Sequence, residues 1–200
     1  DLSNCNKVTS LDVSGCTSLT TITGFDTLPL HTLNANNSGL SRIEGKSSLQ
    51  TLQANNCSNL TEIDAKQSSN LRTLEAKNCD KLATVKAGST QLTTLDLTSC
   101  NKVTSLDLSG CSELSTITGW NDLSLQSLDI SNTAVTQITG KSTLQTLKAN
   151  QCSSLTAIDA KSCGKLTTFE ARNCGKLATV EVESKELMKL DLTASATTTL

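Results

Sequence analysis

The chain is a block of 95 residues followed by a copy of itself. Residues 1–95 align with residues 96–190 without a gap, and 54 of the 95 positions are identical. Asp191-Leu192-Thr193 then restarts the block as Asp96-Leu97-Thr98 does. Gapless repetition predicts a solenoid, in which each unit touches only its neighbours and buries its core by stacking. The 200 residues therefore read as a single repeat solenoid, with super-repeats 1–95 and 96–190 and the start of a third at 191–200. Neither end reads as a polar capping unit, so a longer parent chain is expected.

Inside each block runs a shorter unit of about 11 residues, L-x-x-L-x-A-x-x-C. Leu49–Cys57 and Leu71–Cys79 are clear examples. The x-x-L-x-A stretch alternates outward and inward with period two, the pattern of a strand rather than of an amphipathic helix. Aromatics make up only 2% of the chain, so Leu, Ile, Val, Ala and Cys must fill a narrow interior. The fourth position of successive units alternates between Leu and Ile or Val: Leu52, Ile63, Leu74, Val85. Two units thus make one coil with two sides. The predicted fold is mainly β: a right-handed, leucine-rich-repeat-like β-solenoid of about nine two-sided coils, with parallel sheets and little or no helix.

Counting adds a constraint. Each block holds nine half-units, an odd number, so successive blocks should begin on opposite sides of a two-sided coil. The Leu/Ile alternation slips accordingly, Leu95 and Leu106 both being Leu-type. Phe25 and Trp120, which occupy the same place in the two blocks, are expected on opposite sides of the rod. A three-sided coil also accommodates nine units, but the cysteines show no period of three.

The run Leu92-Thr93-Thr94-Leu95-Asp96-Leu97-Thr98-Ser99-Cys100, continuing to Leu106-Asp107-Leu108-Ser109-Gly110-Cys111, resembles the short cysteine-ladder leucine-rich repeats of bacterial cell-surface proteins of the internalin J type. That resemblance implies 21-residue coils with stacked cysteines, an extracellular or cell-surface location and an adhesive role.

The residues themselves offer little chemistry. Nine cysteines stand at the ninth position of units, with Ser38, Ser68, Thr90, Thr133 and Ser195 in equivalent places. A position that accepts Cys, Ser or Thr wants a small side chain near backbone, so Cys57, Cys79, Cys100, Cys152 and Cys174 are expected to form a buried structural ladder of free thiols. No C-x-x-C occurs and the one histidine is His31, so metal-site spacing is missing. Because a Ser or Cys nucleophile needs a base within reach, no enzyme activity is expected, and no cofactor. A net charge of −2 without a basic cluster argues against nucleic acid, and no apolar run is long enough for membrane insertion.

Outward strand positions form two columns. One is hydroxyl-rich and includes Thr51, Thr73 and Thr94; its neighbour is acidic and includes Asp96, Asp107 and Asp129. With Phe25 and Trp120 they make a candidate binding surface, since exposed aromatics are common anchors; such a ring also serves to plug a widened coil. The expected partner is a protein or glycan of a host or neighbouring cell, or another copy along a filament. The expected function is a non-enzymatic extracellular module for adhesion or protein and glycan binding; the alternative is a structural stalk or filament segment, and the second alternative is ice binding, which wants Thr in both columns. The weakest match between blocks, His31–Leu40 against Gln126–Val135, marks where a specialised patch would lie.

Overall fold

A computed structural model describes residues 2–23 and 28–200. It shows a two-sided coil whose two walls are parallel sheets. On one wall, the A face, Ser10–Asp12, Thr32–Asn34, Thr51–Gln53, Thr73–Glu75 and Thr94–Asp96 pair in that order. On the other wall, the B face, eight strands pair in sequence: Arg42–Glu44, Glu62–Ala65, Thr84–Ala87, Ser105–Asp107, Ser127–Asp129, Thr146–Lys148, Thr168–Glu170 and Lys189–Asp191. The A face resumes with Gln137–Thr139, Ala157–Ala160 and Thr179–Val182. The B wall counts eight rungs, one fewer than the nine coils expected, because the first half-coil around Thr21–Thr23 forms no strand among the described residues. Among the described residues, helix is confined to one 3-10 turn, Trp120–Asp122.

The strands are short, and most carry an inward apolar residue flanked by outward polar ones. Period-two alternation sends the middle side chain into the wall-to-wall core. Leu33, Leu52, Leu74 and Leu95 stack on the A wall, and Ile63, Val85, Leu106, Leu128 and Leu147 on the B wall, all at most 1% exposed. The next inward position takes Ala54, Ala65, Ala76 or Ala87 in some coils and Leu97, Leu108 or Ile130 in others, all fully buried.

The odd half-coil count has the expected result. Thr32–Asn34 lies on the A face, and its counterpart 95 residues later, Ser127–Asp129, lies on the B face. Arg42–Glu44 is on the B face, and its counterpart Gln137–Thr139 is on the A face. The rung spacing travels with the sequence rather than with the wall. Thr32 pairs with Thr51, 19 residues on, and Ser127 pairs with Thr146, also 19 residues on. A block is thus four and a half coils, and the second block is the first turned by half a coil.

The 19-residue coils have a local cause. Both contain the shortened turn at Gly45 or Gly140. A Cβ on Gly45 would lie 2.1 Å from Ser68 Oγ, and one on Gly140 would lie 2.1 Å from Cys163 Sγ, so the next coil's side chain fills the place of a glycine side chain. Ser68 is fully buried and its hydroxyl has no hydrogen-bond partner among the described residues. The second block puts a thiol there instead. Ser68→Cys should therefore raise stability by about 1 kcal/mol, the smaller end of what a buried unsatisfied donor costs; a thermal melt that stays put or falls would refute this account of the turn.

The walls are interrupted at one repeated place. Asp96 bridges to Thr118, but nothing pairs Thr118 with Gln137–Thr139. Trp120, packed against the core, occupies this seam, and Lys141 from the following coil lies over its ring at 5.3 Å. Burial lowers the pKa of that ammonium. The ring therefore plugs a widened coil. Phe25, expected opposite Trp120, lies outside the described residues.

Candidate functional site

Most corners that lead to a ladder position are built the same way, those before Cys5, Ser68, Ser89 and Cys163 excepted. The residue before that position is left-handed: Asn37, Asn56, Asn78, Ser99, Asn132, Gln151, Asn173 and Ala194 have φ between 55° and 62°, and Gly15 and Gly110 have φ of 74° and 91°. Asn and Gly tolerate this region best. Ser99, Gln151 and Ala194 are the expensive exceptions. Ser99→Gly should gain up to about 1 kcal/mol by relieving the left-handed Cβ, measured as a shift in the urea midpoint; a destabilised variant would show that the corner is held by Ser99 itself.

The chain then delivers a thiol or hydroxyl into the core. Cys57 Sγ donates to Ala35 O at 3.0 Å, Cys79 to Ala54 O at 3.1 Å and Cys100 to Ala76 O at 2.8 Å. After the half-coil exchange, Cys152 donates to Ile130 O at 3.1 Å and Cys174 to Ala149 O at 2.9 Å. Ser38 and Thr133 extend the two stacks, their oxygens 3.6 and 3.9 Å from Cys57 and Cys152 Sγ. The five cysteines expected in one ladder thus stand in two stacks, Cys57, Cys79 and Cys100 beside the A face and Cys152 and Cys174 beside the B face. Burial pushes the Cys111 thiol up to about 11. The neighbouring Cys100 and Cys57 sulfurs on either side, together with burial, push the Cys79 thiol up and keep its proton on. Two cysteines depart from the buried expectation: Cys5 is half-buried and Cys16 is exposed, because the first coil has a neighbour on one side only. Ser89, not Thr90, takes the ladder place in its unit; it is buried and donates to Ser69 O at 2.8 Å, while Thr90 faces out. That corner is one residue short, which the regular spacing concealed.

The outward columns do not make one surface. Thr51, Thr73, Thr94 and Asp96 lie on the A face; Asp107 and Asp129 lie on the B face. Trp120 is half-buried in the seam on the A side. The split follows from the half-turn between blocks.

The acidic column also has work inside the fold. Asp96 Oδ1 accepts the Thr98 N–H at 3.0 Å, Asp107 Oδ1 the Ser109 N–H at 3.0 Å and Asp129 Oδ1 the Ser131 N–H at 2.9 Å. Asp12, Asp64, Asp159 and Asp191 each accept the N–H two residues on in the same way. These are Asx turns, which pin the chain as it leaves a strand. The spacing D-x-S/T was visible in the sequence, and its turn-forming meaning is what the reading of the columns missed.

Other outward charges pair across rungs. Arg42 reaches Glu62 at 2.9 Å, and Lys86 reaches Glu62 at 3.1 Å and Asp64 at 3.2 Å. Lys66 crosses over Gly88 to Asp107 Oδ1 and Ser109 Oγ, both at 2.7 Å. Burial opposes ionisation of Asp107, but Lys66 and the Ser109 N–H outweigh it and hold its pKa below the ordinary 3.8. A lowered native pKa means that this pair's stabilisation is complete above the ordinary, unfolded-state value and is lost as pH falls through the folded-state pKa. In the second block Gln137, Thr139, Ala157 and Glu181 stand for Arg42, Glu44, Glu62 and Lys86, so the network is confined to the first.

Among the described residues, no group of three or more His, Cys, Asp or Glu is placed to hold a metal ion, and no helix is long and apolar enough to cross a membrane. His31, on the approach to the A face, is exposed.

The whole chain superposes on part of a known cysteine-ladder structure. It is similar to the functional domain of InlJ from Listeria monocytogenes, which includes a cysteine ladder, at 20% identity and a TM-score of 0.45. The match covers 100% of this chain and 56% of that one, so the chain spans little more than half the length of its structural neighbour. The solenoid assignment rests on the strand pairing above. No protein-family model matches the chain, and no curated protein does.

Proposed function

We propose that this solenoid is a non-enzymatic spacer, a stiff segment of a repetitive extracellular surface protein that contributes length and rigidity rather than a ligand site. The observation that carries this reading is that the outward polar groups are used within the fold. The aspartates close turns, and Asn34 pairs with Asp12, Gln53 with Glu75, and Arg172 with Asp191 across neighbouring coils. The half-turn between blocks supports it too, since it spreads one chemistry over both walls instead of concentrating it on one.

Adhesion to a protein or glycan is the second reading, favoured by the Arg42–Glu62–Lys86 network that only the first block carries. Small-angle scattering on two joined copies of residues 1–190 tests the spacer. Each copy holds nine coils, so the rod should lengthen by roughly 43 Å at about 4.8 Å per coil, with its cross-section unchanged. A bent or collapsed particle would sink the spacer reading. Saturable binding of a glycan or protein that is abolished by Arg42→Ala with Glu62→Ala would replace it with adhesion.

A further inference from the structure

We infer that the seam between residues 116–118 and Gln137–Thr139 is a hinge, at which the rod flexes on the A side about an unbroken B wall. The inference goes beyond the spacer reading and does not rest on it, because a rod with another role would flex at the same place.

The seam lies inside the rod, with whole coils on both sides of it. At an ordinary step between rungs, the N–H groups that open a strand share one carbonyl of the coil before. Thr104 and Ser105 both donate to Ala83 O, at 3.0 and 3.1 Å, and Ala178 and Thr179 to Thr156 O, at 2.9 and 3.3 Å. Their counterparts at the seam are Thr136 and Gln137. Among the described residues, neither donates a backbone hydrogen bond to the preceding coil. The Ala134 N–H, bonded to Leu114 O at 3.0 Å, still joins the two coils at their corner. Thr116, Thr118, Gln137 and Thr139, the outward side chains beside the gap, are all exposed. Ser105, Asp107, Ser127 and Asp129 on the opposite wall are half-buried. Water also reaches the floor of the gap: Ile117 is 9% and Ile138 5% exposed, against at most 1% for Leu106 and Leu128 on the paired wall.

At the same level the B wall is continuous, Ser105–Asp107 pairing with Ser127–Asp129 residue for residue. A gap on one wall and a backbone ladder on the other make a hinge. Widening or narrowing the gap breaks no ladder bond, whereas parting the B wall leaves buried backbone groups unpaired. The Trp120–Asp122 turn is fastened to the coil before the gap. A Cβ on Gly119 would lie 2.4 Å from Thr98 N, so a glycine is what lets the turn press onto that coil, and Asp122 Oδ2 accepts the Ser99 N–H at 2.8 Å. Lys141 comes from the coil after the gap and lies over the Trp120 ring, so this cation–π contact spans the hinge. The counterpart seam at Arg42–Glu44 opens on the B wall, opposite the paired strands Ser10–Asp12 and Thr32–Asn34. Successive hinges therefore open on opposite walls. Flexing at one is offset at the next, and the mean axis stays straight.

Pairs of spin labels on each wall test this in the full chain, with Cys5→Ser and Cys16→Ser removing the accessible native thiols. Thr73→Cys with Ala157→Cys spans the seam on the A wall; Thr84→Cys with Thr168→Cys spans the same number of coils on the B wall. Each pair is four rung steps apart, roughly 19 Å at about 4.8 Å per step. Double electron–electron resonance should give a distance distribution at least about twice as broad for the A-wall pair. Lys141→Ala, which removes the cation from the Trp120 ring, should broaden the A-wall distribution further and leave the B-wall one as it was. An A-wall distribution no broader than the B-wall one would overturn the hinge, while the spacer reading, which is tested by length, would stand. If Lys141→Ala disorders its coil, the two walls compared in the chain with native Lys141 still decide.

Discussion

Leu74→Asp should unfold the centre of the rod. Leu74 is fully buried between the rung partners Leu52 and Leu95. Shortening such a leucine to Ala costs about 2–5 kcal/mol, and a carboxylate with no water or partner adds several more. That sum approaches the whole stability of an ordinary domain, about 5–15 kcal/mol. The manner of failure is specific to a solenoid. Each coil is supported only by its neighbours, so the coils around residues 51–96 lose their seats first. Hydrogen exchange should show protection lost across those residues, with circular dichroism reporting the loss of strand. The outward neighbour gives the control: Thr73→Asp should change stability by no more than about 0.5 kcal/mol. Equal tolerance of both substitutions would mean that the inward and outward assignments are wrong.

Alkylation of the native chain under dilute conditions should modify two cysteines and spare seven. Cys16 is exposed and Cys5 half-buried, while the other seven are buried. A thiol reacts as thiolate and only where reagent can reach it. Cys57, Cys79, Cys100, Cys152 and Cys174 each donate to a carbonyl, and burial raises Cys111 and Cys163. Their reaction needs a coil to open, which should slow it by about a thousandfold or more. In denaturant all nine should react. Mass spectrometry after a timed pulse of maleimide reads the count directly. Rapid labelling at Cys79 or Cys100 would mean that the stacks are open to solvent.

These expectations show how far one sequence can be read. The L-x-x-L-x-A unit was sufficient to place Leu52, Leu74 and Leu147 inside and Thr51, Thr73 and Thr146 outside, because in/out alternation is a local property of extended backbone. The odd number of half-units was sufficient to exchange the faces between blocks. The left-handed corners were also legible, in the Asn or Gly before most of the thiols, but they went unread, and so did the turn-forming role of Asp96, Asp107 and Asp129. Ser89 could not have been told from Thr90 by spacing alone, since one missing residue in a corner moves the next side chain from outside to inside.

By itself the sequence determined the coil, its two-sided form, the identity of its core and the half-turn that relates the blocks. Only the tertiary structure decided which outward residues share a wall, that the thiols stand in two stacks, and where the walls part at Trp120. The reason is physical. Whether a side chain faces in or out depends on its own few residues, whereas which rung lies beside which depends on the summed lengths of all the turns between them. In this chain those lengths vary, with rungs 19 residues apart at Thr32–Thr51 and 22 apart at Thr51–Thr73. Local periodicity cannot supply that sum; packing, coil upon coil, does.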